Sequence, residues 1–169
     1  FKLKPKKRAN LSPWKKITNI VLNTKKSVKI AIIGKYVNLK DAYKSLDEAL
    51  IHGGISNKVK VNLIRIESDN LKVNEIKEKL KDVSGLLIPG GFGKRGTEGK
   101  ISAVKYAREN KIPFLGICFG MQMAIIEFAR NKLKIKKAGS SEIDKKCYPV
   151  VGLINEWEKN GKIFKGTDK

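Results

Sequence analysis

Cysteine and histidine are nearly missing from this chain, at 2 and 1 in 169 residues. The two cysteines, Cys118 and Cys147, are too few for a disulfide scaffold and fit a reducing compartment, so a cytoplasmic location is expected. One histidine, His52, excludes a multi-histidine metal centre built by this chain alone, and no metal is expected in it. Acidic residues are scarce as well, with 16 Asp and Glu against 37 Lys and Arg and a formal net charge of +21. Long apolar runs are absent. None approaches the ~20 residues of a membrane helix, and the basic start leads into no signal-peptide core. The mean hydropathy of −0.33 agrees, and no membrane partner is expected. A chain of this length is expected to form about one domain with a real core.

The basic excess invites a nucleic-acid reading, but its distribution argues against one. Lysines cluster at Lys2, Lys4, Lys6 and Lys7 beside Arg8, and again at Lys132, Lys134, Lys136 and Lys137, while many others stand singly. The sequence carries no basic strand interleaved with aromatics and no zinc-finger spacing. The expectation is a lysine-rich surface and no nucleic-acid partner, with a basic face for an acidic or phosphorylated ligand as the alternative.

Residues 1–27 are basic, poor in apolar runs and carry Pro5 and Pro13, which reads as a linker. A short helix is expected over 13–21, with Ser12 as N-cap and Pro13 in its first position. The opening without Met, and the tail Gly166-Thr167-Asp168-Lys169 falling mid-pattern, suggest more sequence at both ends. From Val28 the pattern changes. Apolar runs at 28–34, 58–66, 85–89 and 112–117 predict four strands. Helical stripes at 41–52, 74–80, 98–109 and 121–131 fall after them, the first stopped by Gly53-Gly54. Later strands are expected at 150–154 and 162–164, with a hairpin around Asn160-Gly161. This alternation implies an α/β fold with a doubly wound, mostly parallel sheet over residues 28–169. Such sheets hold ligands at the carboxyl ends of their strands.

After the fourth strand comes Gly116-Ile117-Cys118-Phe119-Gly120, the thiol form of a nucleophile elbow. A strand-to-helix turn this sharp strains its central residue, and a Cβ at either flanking glycine would clash. The thiol then projects at a helix N-terminus, where amides and the helix dipole favour the reactive form. After the third strand comes Pro89-Gly90-Gly91-Phe92-Gly93, beside the elbow. The Gly91 and Phe119 N–H groups are thereby candidates for an oxyanion hole. A thiol nucleophile needs a base. His52 ends a helix that runs down from the catalytic edge, which puts it on the order of 15–18 Å away. It therefore reads as structural, and either Cys118 is not catalytic or its base lies outside this chain. Cys147 has no partner motif and reads as an ordinary free cysteine.

Residues 28–154 resemble the class I glutamine amidotransferase domain of the CTP synthase family. The carriers are Gly34-Lys35-Tyr36-Val37, then Asp41-Ala42-Tyr43-Lys44-Ser45 with Glu48-Ala49-Leu50. Arg95-Gly96-Thr97-Glu98-Gly99-Lys100, after the double-glycine bend, is one of two more specific runs. The other is Ala107-Arg108-Glu109-Asn110-Lys111-Ile112-Pro113, which leads into the elbow. The resemblance implies a flavodoxin-like amidotransferase fold, cut short at its C-terminal end. It implies that Cys118 attacks L-glutamine and forms a glutamyl thioester, and that Gly91 and Phe119 supply the oxyanion hole. Gly91, Phe119, Gly120, Met121 and Gln122 would contact the substrate, and Glu142 would bind its ammonium. Around Glu142 this chain reads Gly139-Ser140-Ser141-Glu142-Ile143, and its first and last positions depart from the family pattern. Arg95, Gly96 and Glu98 fall on a lid that responds to GTP, the family's activator. No cofactor is implied for this chain. ATP and magnesium belong to an upstream synthase domain of the same polypeptide, which receives the ammonia and aminates UTP to CTP. The triad's His and Glu would follow this chain, leaving it nearly inactive alone, and the whole enzyme would be a homotetramer. Another cysteine-elbow amidotransferase or hydrolase of this fold is the alternative, with a basic nucleic-acid module behind it.

Overall fold

A computed structural model describes residues 9–166 except Asn38, Lys40, Asn70, Phe92 and Asn155, and leaves out the side chain of Phe164. The basic cluster from Lys2 to Arg8, Pro5 and the last three residues of the tail lie outside the described residues. Four strands form the central sheet: β1 (Ser27–Gly34), β2 (Lys60–Glu67), β3 (Gly85–Ile88) and β4 (Phe114–Gly116). All are parallel, in the order β2-β1-β3-β4, with Ile30 paired to both Leu63 and Gly85, and Leu86 to Phe114. The expected doubly wound sheet is therefore present. Its winding reverses between β1 and β3, so the loops after those strands open at the switch point, where such sheets bind ligands.

The middle strands explain why the sheet is central. Ala31, Ile32, Ile33 and Ile88 are 0% exposed, and Leu86 and Leu87 are 2% exposed. A parallel strand covered on both faces reads as a continuous apolar run rather than an alternating one. Helices α2 (Lys44–Ser56), α3 (Val73–Leu80), α4 (Thr97–Glu109) and α5 (Phe119–Asn131) connect and follow the strands. Ile76 and Leu80 of α3 join Ala103, Val104 and Ala107 of α4 in one core cluster with β1 and β3. A second cluster joins Ile101 of α4 to Phe119, Met123 and Ile126 of α5. No helix among the described residues is long and apolar enough to cross a membrane.

Several local expectations need correction. The first helix, α1 (Ser12–Asn23), starts one residue early: Leu11 is its N-cap, and Ser12 lies inside. The Ser12 N–H donates instead to Asn10 Oδ1 at 3.0 Å. Pro13 is tolerated there because first-turn N–H groups lack helical partners anyway. Gly53-Gly54 does not stop α2, which starts at Lys44 rather than Asp41 and continues to Ser56. A Cβ on Gly54 would lie 2.6 Å from Val61 Cγ2 and 2.7 Å from the Val59 carbonyl. That glycine lets the helix lie against β2 instead of ending it. A short strand β5 (Ala138–Ser140) was not anticipated, and it pairs in parallel with β6 (Tyr148–Val151). The hairpin around Asn160-Gly161 is real, but its arms are β7 (Glu156–Lys159) and β8 (Lys162–Lys165), not 150–154. Its turn needs positive φ at both central residues, and Asn160 and Gly161 have φ of 53° and 72°.

Candidate active site

The junction of β4 and α5 is a strained turn. Cys118 caps α5 with φ 51° and ψ −107°, a conformation in which a non-glycine residue costs about 1–3 kcal/mol. Its thiol is exposed. Three hydrogen bonds lock the turn: Gly120 N–H to Ile117 O at 2.9 Å, Met121 N–H to Cys118 O at 3.1 Å, and Gln122 N–H to Cys118 O at 3.2 Å. The two glycines are sterically obligatory. A Cβ on Gly116 would stand 2.6 Å from the Gly120 carbonyl carbon, and one on Gly120 would stand 2.0 Å from Ile88 O. That same Ile88 carbonyl accepts the Ile117 N–H at 3.0 Å, so β3 is the surface against which the turn is pressed.

The bend after β3 lies beside it. A Cβ built on Gly90 would be 3.7 Å from Cys118 Cβ. Gly91 has φ 135°, which side-chain-bearing residues rarely adopt, and the space where its Cβ would go is open. Phe92 of this bend lies outside the described residues. Cys118, Gly91, Phe119 and Gly120 thus meet at adjacent strand ends. Met121 is 52% exposed on the first turn of α5. Gln122 is half-buried, and its Oε1 is buried without a hydrogen-bond partner among the described residues. Leaving such a group unmet costs about 1–3 kcal/mol.

The remaining expected residues are more dispersed. Glu142 is exposed in the turn after β5, and its N–H donates to Ser140 Oγ at 3.3 Å. The neighbouring Ile143 packs on the cluster that contains Phe119, which sets this turn beside α5. The structure parts Arg95 from Glu98. Arg95 Nε sits 2.6 Å from Asp69 Oδ2, on the connection after β2. Glu98 takes both its hydrogen bonds from Arg130 Nη1 on α5, at 3.0 Å each. Gly96, with φ 71°, caps α4, and a Cβ there would lie 2.4 Å from Ser68 Oγ. His52 is exposed in the second half of α2, on the way toward the amino end of β2. Cys147 is half-buried against Gly139. Among the described residues no group of His, Cys, Asp and Glu is arranged to hold a metal ion.

Two lysines that stand in the sequence only as members of the family runs, with no role assigned, prove to be buried here. Lys100 is 1% exposed and Lys35 is 6% exposed. Their Nζ atoms lie 5.0 and 5.7 Å from the centroid of the Phe119 ring. Lys35 Nζ also donates to Gly93 O at 2.9 Å. Burial, reinforced by the Lys35 charge and opposed by Asp69, lowers Lys100 to about 8. Lys35 is lowered too, by burial first, with Asp69 opposing and Arg95 adding. A signal for Lys100 was available: it lies three and four residues from Thr97 and Val104 on the buried stripe of α4.

A parallel sheet wound 2-1-3-4, with a thiol turn at the end of its fourth strand, defines a class, and comparison with known proteins names it. A model of the class I glutamine amidotransferases matches residues 38–167. The chain belongs to that family. Over its full length it is 75% identical to the CTP synthase of Pelagibacter ubique, of which it covers 31%. It is 54% identical over 154 residues to the CTP synthase of Zymomonas mobilis, covering 90% of this chain and 28% of that protein. A solved glutaminase domain of Trypanosoma brucei CTPS, with bound acivicin, is similar at TM-score 0.67 and 36% identity. That match covers 72% of this chain and 48% of the other. The chain thus spans about a third of the length of the curated relatives it matches.

Proposed function

We propose that this chain is the glutamine-hydrolysing portion of a CTP synthase. Residues 28–169 would form the amidotransferase domain and residues 1–27 the linker to a synthase domain. The observation that carries this reading is the strained Cys118 at the head of α5, pressed against the Gly90-Gly91 bend. In this reading Cys118 Sγ bonds to the side-chain amide carbon of L-glutamine. The carbonyl oxygen becomes an anion, received by the Gly91 and Phe119 N–H groups. The base, supplied outside this chain, takes the thiol proton on attack; collapse of the adduct breaks the C–N bond, the base returns that proton to the nitrogen, ammonia leaves, and a glutamyl thioester remains. Water then cleaves the thioester to glutamate. Gln122, with its buried unmet oxygen, is suited to accept a hydrogen bond from the substrate, and the Glu142 carboxylate suits its ammonium. Gly120 and Met121 complete the contact turn. ATP, UTP and magnesium would act on the synthase domain of a homotetrameric enzyme. GTP would act through the loop of Arg95, Gly96 and Glu98, where it competes with the Arg95–Asp69 and Glu98–Arg130 pairs.

The test uses the polypeptide extended at both ends to the length of its relatives. It should release ammonia from glutamine and, given UTP and ATP, form CTP. Cys118→Ala should lower the glutamine-dependent rate by at least ~10³-fold, while added ammonia still supports CTP formation. Undiminished glutaminase in the Ala variant rejects the nucleophile. Ammonia release without CTP formation points to another amidotransferase of this family. The 169-residue chain alone should be nearly inactive, because its one histidine, His52, lies in the second half of α2, a helix that leads to the amino end of β2, and this reading takes the base from outside the chain.

A further inference from the structure

The first residue of α5 is held in an unusual way. The Phe119 ring is fully buried, with the Lys100 and Lys35 ammonium groups 5.0 and 5.7 Å from its centroid. Lys100 comes from the first turn of α4, at the elbow end of the α4–α5 layer; its backbone N–H donates to Gly96 O at 3.2 Å, but its ammonium makes no hydrogen bond or ion pair among the described residues. Lys35 follows β1 and bonds the carbonyl of Gly93, two residues beyond Gly91. Lys35 therefore joins the ring that follows Cys118 to the loop carrying the double glycine, while Lys100 meets the same ring from α4. Other charges acting on the lysines are Asp69, from the connection after β2, and Arg95, from the loop before α4. Attraction between an ammonium and a ring face strengthens when water is excluded. A buried cation with so little compensation is not explained by stability.

We propose that Lys100 is a positioning residue for the elbow: its ammonium, seated over the Phe119 ring, fixes the first turn of α5 and the backbone N–H that follows Cys118. This rests on the glutaminase reading for its effect on turnover, but not for its effect on the thiol. Because Lys100 titrates near 8, the restraint is released on the alkaline side of neutrality.

The experiment compares the extended polypeptide with its Lys100→Met, Lys100→Arg and Cys118→Ala variants. The readouts are kcat and KM for glutamine hydrolysis across pH 7 to 9.5, and the rate of Cys118 alkylation by iodoacetamide at fixed pH. In the parent, kcat should fall with a midpoint near 8. Lys100→Met, of similar length and uncharged, should lower kcat about tenfold at pH 7. KM should stay within about twofold, and the alkaline fall should disappear. Lys100→Arg, whose charge persists throughout, should recover most of the rate without that fall. Alkylation should change severalfold in Lys100→Met. The proposal is overturned if Lys100→Met keeps the parent's kcat and pH profile, if Arg loses as much as Met, or if alkylation is unchanged. Glutamine hydrolysis that survives Cys118→Ala rejects the functional reading instead, and the alkylation comparison then decides the positioning role by itself.

Discussion

The two ends of the α4–α5 layer bury charge in opposite ways. At the far end, Glu127 of α5 is 1% exposed, and Arg108 of α4 meets it with three hydrogen bonds of 2.8 to 3.2 Å. That contact raises Arg108 further, chiefly through the hydrogen bond to Glu127. At the elbow end, Lys100 is equally buried but has only a ring and a distant carboxylate for company. Gln122 Oε1, Ser68 Oγ and Asp69 Oδ1 are buried without hydrogen-bond partners among the described residues. One end is optimised for cohesion. The other keeps polar groups unmet and a backbone residue strained, as expected where a ligand completes the bonding.

Removing side chains should therefore act with opposite sign at the two ends. Arg108→Ala strands the Glu127 carboxylate in the interior and should destabilise the fold by about 3–5 kcal/mol in urea unfolding. A loss well under ~1 kcal/mol would erase the contrast. Lys100→Met should stabilise. Burial moves this lysine from 10.5 to about 8, and at about 1.4 kcal/mol per pH unit the penalty is roughly 3–4 kcal/mol. Between those two values the unfolded chain holds the extra proton, so parent stability should rise with pH across that window. The penalty is complete below 8, and the variant should lack this slope. A Lys100→Met protein less stable than its parent at pH 7 would place Lys100 among the cohesive contacts. Gln122→Leu, the mildest change, should be neutral or stabilising by up to ~1 kcal/mol in thermal unfolding, since it removes an unmet acceptor.

The same contrast runs through what the sequence reveals. The sheet is readable because β1 and β3 carry short apolar runs, the first ending in Gly34 and the second followed by Gly90-Gly91. The elbow is readable because its steric demands fall on three residues close in sequence, Gly116, Cys118 and Gly120. What escapes depends on distant partners. β5 is Ala-Gly-Ser, which has no strand pattern of its own and exists through pairing with β6. Gly53-Gly54 has the chemistry of a helix stop, and only the closeness of Val59 and Val61 turns Gly54 into a packing contact. Arg95 and Glu98, three residues apart, look like one unit, yet their partners Asp69 and Arg130 draw them to different elements. Lys100 reads as one more surface lysine in a chain of 37 basic residues until α4 is docked.

The Ile88 carbonyl has a consequence for evolution. It occupies the only space into which a methyl group on Gly120 could grow, while also holding the Ile117 amide. The thiol's posture is thus inherited from a central strand as well as from the turn that bears it. A change that slides β3 along its neighbours by a fraction of an ångström would therefore re-aim the sulfur, however well the turn itself is kept. Selection for reactivity at the rim then acts as selection for immobility at the centre.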